Sequence, residues 1–104
     1  MTMSLTESSV FDNLSWFERL CRKFALDFIS QLKHGDITVV EGSQRLRFGE
    51  EHAELKTVIT VVDPAFYQKL VLGGSVGAGE SYIDGHWRCD NLTGLVQIFA
   101  RNSA

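Results

Sequence analysis

Histidine and cysteine side chains are the first residues of this sequence that could do chemistry. The three histidines, His34, His52 and His86, are dispersed, and no two stand one helical turn apart, the spacing that suits a metal site. Cys89 follows His86 by three residues, so it is either half of a thiol–imidazole pair or a small half-buried thiol beside an exposed histidine. The spacing favours the second interpretation and predicts no metal site.

Two carboxylates offer another candidate. Glu80 and Asp84 are four residues apart and would share one face of a helix. They could serve as a general acid and a general base, or one could cap a helix while the other is solvated. The second interpretation is favoured.

A glycine-rich stretch, Gly77-Ala78-Gly79, could in principle approach a nucleotide. Such a loop works between a parallel strand and a helix, where backbone N–H groups reach the ligand. No strand of four to eight residues precedes this stretch, and the chain has no room for the parallel strands of a methyltransferase domain. The sequence therefore predicts no catalytic and no cofactor-binding residue here.

Length and composition predict one small globular domain. The chain has 104 residues, 44% of them hydrophobic, and a net charge of −3, which gives no reason to expect nucleic-acid binding. Two distant cysteines, no basic apolar leader and no long apolar run predict a reduced, soluble cytoplasmic chain. Residues 1–11 are predicted to be a flexible lead-in and residues 12–104 a single domain.

The first helix is predicted from Ser15, because Ser15 and Glu18 match the capping-box pattern. Gly35 is predicted to end it in a left-handed conformation. Apolar residues recur at intervals of three and four and are predicted to form the buried stripe: Phe17, Leu20, Cys21, Phe24 and Phe28.

Strands are predicted at residues 36–40, 44–48 and 55–62, where β-branched and alternating residues replace the helical period. Short connections favour an antiparallel meander, with the third strand central and the first helix against one face. The predicted class is α+β, a small antiparallel sheet of about three strands covered by an N-terminal helix.

Short helices are predicted to follow. Asp63-Pro64 starts one at residues 64–72, Gly73-Gly74 ends it, and residues 77–85 form a loop leading into a helical turn. Asn91 caps a last helix with an apolar stripe of Leu92, Leu95, Val96 and Phe99.

The segment from Leu72 to Trp87 closely resembles the part of cyclopropane-fatty-acyl-phospholipid synthases that precedes their catalytic domain. Its Gly-x-Gly-Glu-x-Tyr-x-Asp-Gly-x-Trp string carries the resemblance, and residues 62–70 and 89–92 extend it. Ala78 and Ile83 depart from the family, which usually has Leu and Met there.

The resemblance implies a two-domain enzyme of which this chain is the N-terminal, non-catalytic part. The missing C-terminal domain would bind S-adenosylmethionine and transfer a methylene carbon to an unsaturated phospholipid acyl chain. The N-terminal domain, similar to sterol-carrier proteins in fold, would help to engage the acyl chain, pack on the catalytic domain and take part in assembly into homo-oligomers. It would act peripherally at the inner leaflet of the membrane.

The residues of the resembling segment are candidates for a lipid entrance or an interdomain contact. Glycines would shape the backbone, Tyr82 and Trp87 would offer large apolar surfaces with polar tips or simply fill the core, and Asp84 would bind the turn at Gly85. The full set is Gly77, Gly79, Glu80, Tyr82, Asp84, Gly85 and Trp87.

The first helix also has features of an interfacial helix. Aromatic side chains stand against basic ones, which suits a membrane surface but equally suits a helix that covers a sheet. Core packing is favoured, with Trp16 at the rim. The candidates for facing a membrane are Trp16, Arg19, Arg22 and Lys23.

Two other function classes stay open. One is a purely structural module that sets oligomer geometry or holds the catalytic domain, and it predicts a closed core with an exposed apolar patch. The other is a free-standing carrier of fatty acyl or sterol-like ligands.

Overall fold

The structure, a computed structural model, describes residues 14–102, so the predicted lead-in at residues 1–11 lies outside the described residues. The chain is α+β, as predicted. Its elements in chain order are α1 (Trp16–Ser30), β1 (Asp36–Glu41), β2 (Gln44–Gly49), β3 (Lys56–Val61), α2 (Ala65–Ile83), β4 (Trp87–Cys89) and α3 (Leu92–Asn102).

The sheet is mixed and four-stranded in the order β2-β1-β3-β4, which corrects the predicted antiparallel meander of three strands. β1 pairs antiparallel with β2 and parallel with β3, and β3 pairs antiparallel with the short β4. β1 is buried along almost its whole length and therefore takes a neighbour on each edge. Residues 50–55 connect β2 to β3 and pass the start of β1, where Asp36 N–H donates to Leu55 O at 2.8 Å. β3 therefore pairs with the edge of β1 opposite to β2. The third strand is internal, as predicted.

α1 begins as predicted. The Ser15 hydroxyl accepts from Glu18 N–H at 3.1 Å, and the Glu18 carboxylate accepts from Ser15 N–H at 2.8 Å. Its far end differs from the prediction, since the helix ends at Ser30 and His34 takes the left-handed backbone, with φ 66°.

The buried face of α1 is not the predicted one. Of the predicted stripe only Cys21 is buried, and it is joined in the core by Ala25 and Ile29. These three recur every four residues, and the two smaller ones let α1 approach the sheet closely. The predicted aromatic stripe lies on the neighbouring face and is exposed: Phe17, Leu20, Phe24 and Phe28.

The prediction of a loop at residues 77–85 is wrong, because residues 75–83 are helical and belong to α2. Gly74, with φ 58° and ψ −139°, bends the helix into two arms, residues 65–73 and 75–83. This backbone conformation is open essentially to glycine alone, so the glycine pair turns the helix where it was expected to end it. Both ends of α2 lie at the same end of β3, where Val62 N–H donates to His86 O at 2.8 Å. The arms therefore run out and back.

The core lies between the inner face of the sheet and the three helices. Ile37 and Val39 share that face of β1, as predicted, and Ile59 and Val61 continue it on β3. Asn91 caps α3 as predicted, its side-chain oxygen accepting from Gly94 N–H at 3.0 Å.

Candidate functional site

A cleft of about 840 Å³ opens between the three helices. Polar side chains are few in its walls and come from Gln31, Ser75 and Asn102. Most of the lining is aliphatic or aromatic: Phe24, Ala25, Phe28, Leu32, Leu70, Val71, Ala78, Tyr82, Trp87, Leu92, Leu95, Val96 and Phe99. A mostly apolar concavity of this size is typical of a small-molecule or lipid site.

The predicted apolar stripe of α3 faces this cleft, and so do Phe24 and Phe28 of the predicted stripe of α1. Phe28 of α1 stacks on Phe99 of α3, with ring centroids 6.1 Å apart. A reciprocal pair of hydrogen bonds closes the adjoining ends of the helices, because Lys33 N–H donates to Asn102 Oδ1 at 2.8 Å and Asn102 Nδ2 donates to Lys33 O at 2.7 Å. The spacing of these two walls is thus fixed by both apolar and polar contacts.

The third wall is α2, and Gly77 holds its two arms together. A Cβ atom at Gly77 would collide with the carbonyl oxygen of Lys69 on the first arm, so only glycine permits this approach. A Cβ atom added at Gly79 would meet nothing within 4 Å, so Gly79 lines the cleft without such a constraint. The two glycines of the motif therefore differ in what they do.

Trp87 and Tyr82 meet at the cleft. Trp87 is buried and its indole N–H donates to Ala78 O at 2.9 Å. Tyr82 packs edge-on against it, with ring centroids 5.0 Å apart, and is itself exposed. The structure therefore gives Trp87 a place in both the core and the cleft wall, and places Tyr82 at the cleft surface.

The charged candidates of the same segment lie on the surface. Glu80 is exposed and forms a loose ion pair with Lys69, with 3.9 Å between the charged atoms. Asp84 is the C-cap residue of α2, and its exposed side chain makes no hydrogen bond with the described residues. Gly85 follows with φ 82° and lines no part of the cleft.

Three of the four basic and aromatic candidates of α1 are exposed: Trp16, Arg19 and Lys23. Trp16 is exposed and packs edge-on against Phe17, and Lys23 pairs with Asp27 at 3.6 Å. Arg19 donates to the carbonyl of Leu14 at 2.7 Å.

Arg22, in contrast, turns inward to a network that the sequence analysis missed. Its guanidinium donates two hydrogen bonds, of 2.8 and 2.7 Å, to the Glu41 carboxylate at the end of β1. The Tyr67 hydroxyl of α2 donates to the same carboxylate. Strand alternation could have revealed it, because Glu41 is two residues beyond the buried Val39 and so faces the core, where a carboxylate needs partners.

This network shifts the ionisation of two of its members. The hydrogen bonds that Arg22 donates to Glu41 are the main cause of the raised pKa of Arg22, which stays charged. Burial, and then the hydrogen bond to Glu41, raise the pKa of Tyr67 well above its usual range. The Tyr67 hydroxyl therefore keeps its proton in the folded chain.

A pH dependence follows from Tyr67. An unfolded tyrosine loses its proton near pH 10, while the folded chain retains it, so the folded state binds more protons above that pH. Stability is expected to be intact below pH 10 and to fall above it, by at most about 1.4 kcal/mol per pH unit. Urea unfolding measures the free energy of unfolding across this range, from about pH 8 to about pH 11, which brackets the ordinary tyrosine pKa.

Tyr82 supplies the matched control, since Tyr67 and Tyr82 are the only tyrosines of the sequence. Tyr67→Phe should flatten the alkaline slope and Tyr82→Phe should leave it unchanged. An unchanged slope in Tyr67→Phe would mean that another group governs the alkaline loss.

Within residues 14–102, Cys89 and His86 do not form a thiol–imidazole pair. The Cys89 thiol lies 2.8 Å from the Thr57 hydroxyl, and the His86 ring lies 2.9 Å from the Ser81 hydroxyl, so thiol and imidazole have separate partners. Ser81 is fully buried. No group of three potential metal ligands occurs in this part of the chain.

Comparison with known proteins gives one short similarity. A segment of 34 residues, 33% of this chain, is 50% identical to the cyclopropane-fatty-acyl-phospholipid synthases of Escherichia coli strain K12 and of Escherichia coli O6:H1 strain CFT073. The matched segment spans 9% of the length of each synthase. No family model matches the chain, and no solved structure matches it significantly. Within residues 14–102, no helix combines the length and the apolar character needed to cross a membrane.

Proposed function

We propose that this chain is a non-catalytic accessory domain of a methyltransferase similar to cyclopropane-fatty-acyl-phospholipid synthases, and that its cleft engages an acyl chain of a phospholipid. The single observation that carries the proposal is the apolar cleft between α1, α2 and α3. The short similarity to synthases that are named for a fatty-acyl phospholipid supports it.

The walls of the cleft suit a hydrocarbon chain. Phe24, Phe28 and Val96 line the cleft and are exposed. A ligand that covers these side chains would remove their apolar surfaces from water. Each methylene group that leaves water contributes about 0.8 kcal/mol, so a long acyl chain gains affinity without polar contacts. Gln31 adds a polar side chain to the wall, which would orient a headgroup or an ester.

The chemistry is assigned to another domain of the same polypeptide. S-adenosylmethionine would bind there, and the whole enzyme would transfer a methylene carbon to an unsaturated acyl chain. The present chain would pack on that domain and present the lipid. The proposed location is the cytoplasm, at the periphery of the inner leaflet, and assembly into homo-oligomers belongs to the same proposal.

Binding of a fluorescent fatty acid to the 104-residue chain tests the role of the cleft. Phe28→Asp places a charge in the cleft wall, where a bound acyl chain would desolvate it, so the affinity should fall about tenfold or more. Fluorescence titration measures the dissociation constant in both proteins.

Phe17→Asp is the matched control. Phe17 is exposed on the same helix but lies outside the cleft, so the same substitution should leave the affinity unchanged. Equal losses in both variants, or no saturable binding by the unaltered chain, would remove the cleft from the proposal and leave the structural module as the alternative.

A further inference from the structure

The bend of α2 forms a projecting tip beside the cleft. Because the two arms run out from and back to the end of β3, Gly74 lies at the far end of the helix from its two termini. Each arm of about nine residues spans roughly 13 Å. Val71, Gly74 and Ser75 line the cleft, so the tip forms part of its rim.

Two large aliphatic side chains project from this tip into solvent. Leu72 is 71% exposed and Val76 is 73% exposed, one on each side of Gly74. Single exposed apolar residues are ordinary, but these two flank one bend, and Val71, next to Leu72 in the chain, is also exposed. We call Leu72 and Val76 the tip pair.

The charges around the tip pair suit an anionic surface. The chain has 13 acidic residues, but residues 64–79 and 91–102, which supply the tip and α3, contain none. The same two stretches contain Lys69 and Arg101. These two stretches therefore carry no carboxylate that anionic headgroups would repel, although Glu80, which directly follows the first of them, pairs with Lys69 and the chain as a whole carries a charge of −3.

We infer that the tip pair inserts into the interface of an anionic phospholipid bilayer, so that the cleft opens onto the acyl layer where lipid is taken up. This inference rests on the proposed function, since it assigns the bilayer as the partner of the same cleft. It places the membrane contact at the bend of α2, whereas the candidates from the sequence lie on α1. Burial of two aliphatic side chains provides the affinity, and the absence of acidic residues permits close approach.

Co-flotation with vesicles of phosphatidylethanolamine and phosphatidylglycerol tests the inference on the 104-residue chain. The double variant Leu72→Ser/Val76→Ser should reduce vesicle binding about tenfold or more, because neither serine gains from leaving water. Both side chains are exposed in the free protein, so its circular dichroism and melting temperature should stay unchanged.

Ile83→Ser is the matched control. Ile83 is 84% exposed on the same helix but lies at its base, roughly 13 Å along the second arm from the tip. Vesicle binding by this variant should equal that of the unaltered chain. Equal flotation of the double variant and the unaltered chain would overturn the inference, as would binding that Ile83→Ser weakens just as much.

Two further readouts separate this inference from the proposed function. The double variant should still bind the fluorescent fatty acid in solution, because the tip pair lies outside the cleft lining. Loss of fatty-acid binding with intact flotation counts against the cleft and not against the tip. If the unaltered chain does not float but forms a dimer that the double variant abolishes, the tip is a protein contact and the inference is wrong.

Discussion

Replacing Glu41 with alanine should lower the free energy of unfolding by about 3 kcal/mol, because the substitution leaves a guanidinium and a phenol without their common partner. The Glu41 side chain is 2% exposed, so water cannot take over its hydrogen bonds in place. Arg22 is 30% exposed and reaches some water, which places the expected effect at the low end for a broken buried ion pair. Urea unfolding at neutral pH measures the change.

The partners of Glu41 should show smaller effects. Tyr67→Phe removes one hydrogen bond to a charged group and should cost about 1.5 kcal/mol. Asp27→Ala breaks the exposed pair with Lys23, and such a pair contributes about 0.5 kcal/mol or less. An effect of Glu41→Ala as small as that of Asp27→Ala would show that the network adds little to stability.

Replacing Gly77 with alanine should lower the free energy of unfolding by about 2 to 3 kcal/mol, because the added methyl group meets the backbone of the first arm of α2. A backbone carbonyl cannot turn aside as a flexible side chain can, so the arms must separate. Alanine is otherwise the better helix former by about 1 kcal/mol, and the steric effect has to exceed this gain. Urea unfolding measures the difference in the free energy of unfolding, as a shift of the midpoint at an unchanged m-value.

Gly79→Ala provides the internal control, two residues further along the same arm. Its added methyl group meets nothing within 4 Å, so stability should stay equal or rise by up to about 1 kcal/mol. Similar losses at both positions would mean that helix packing does not distinguish the two glycines of the motif. A stable Gly77→Ala variant would show that the arms can separate freely.

Local signals in the sequence were sufficient for the elements that depend on neighbouring residues. The capping box at Ser15 predicts the start of α1, alternation predicts the first three strands, and Asn91 predicts the start of α3. Each of these features is decided within four or five residues. β4 was missed because its three residues are too few to display an alternating pattern.

Features that depend on distant residues could not be predicted in the same way. The parallel pairing of β1 with β3 joins residues 20 positions apart, such as Asp36 and Lys56, and no local pattern expresses it. α1 offers two adjacent apolar stripes, and close packing on the sheet selects the one with Cys21 and Ala25. The aromatic stripe that looks more suitable for a core is left outside it, and its members Phe24 and Phe28 line the cleft.

The candidate site also contains both kinds of feature, those that neighbouring residues predict and those that depend on distant residues. Tyr82 and Trp87 were singled out by their segment, and both line the cleft. The network of Arg22, Glu41 and Tyr67 joins residues 19 and 26 positions apart in the chain, on three different elements. Only the alternation that turns Glu41 inward gave a local sign of it.

The out-and-back path of α2 has an evolutionary consequence. β3 and β4 are antiparallel neighbours, and Val61 pairs directly with Trp87, so topologically the whole helix is an enlarged turn between two adjacent strands. Insertions, deletions or substitutions near Gly74 can therefore alter the length and character of the projecting end while strand register is conserved. Under the proposed function, ligand preference would then diverge among related chains faster than their common scaffold.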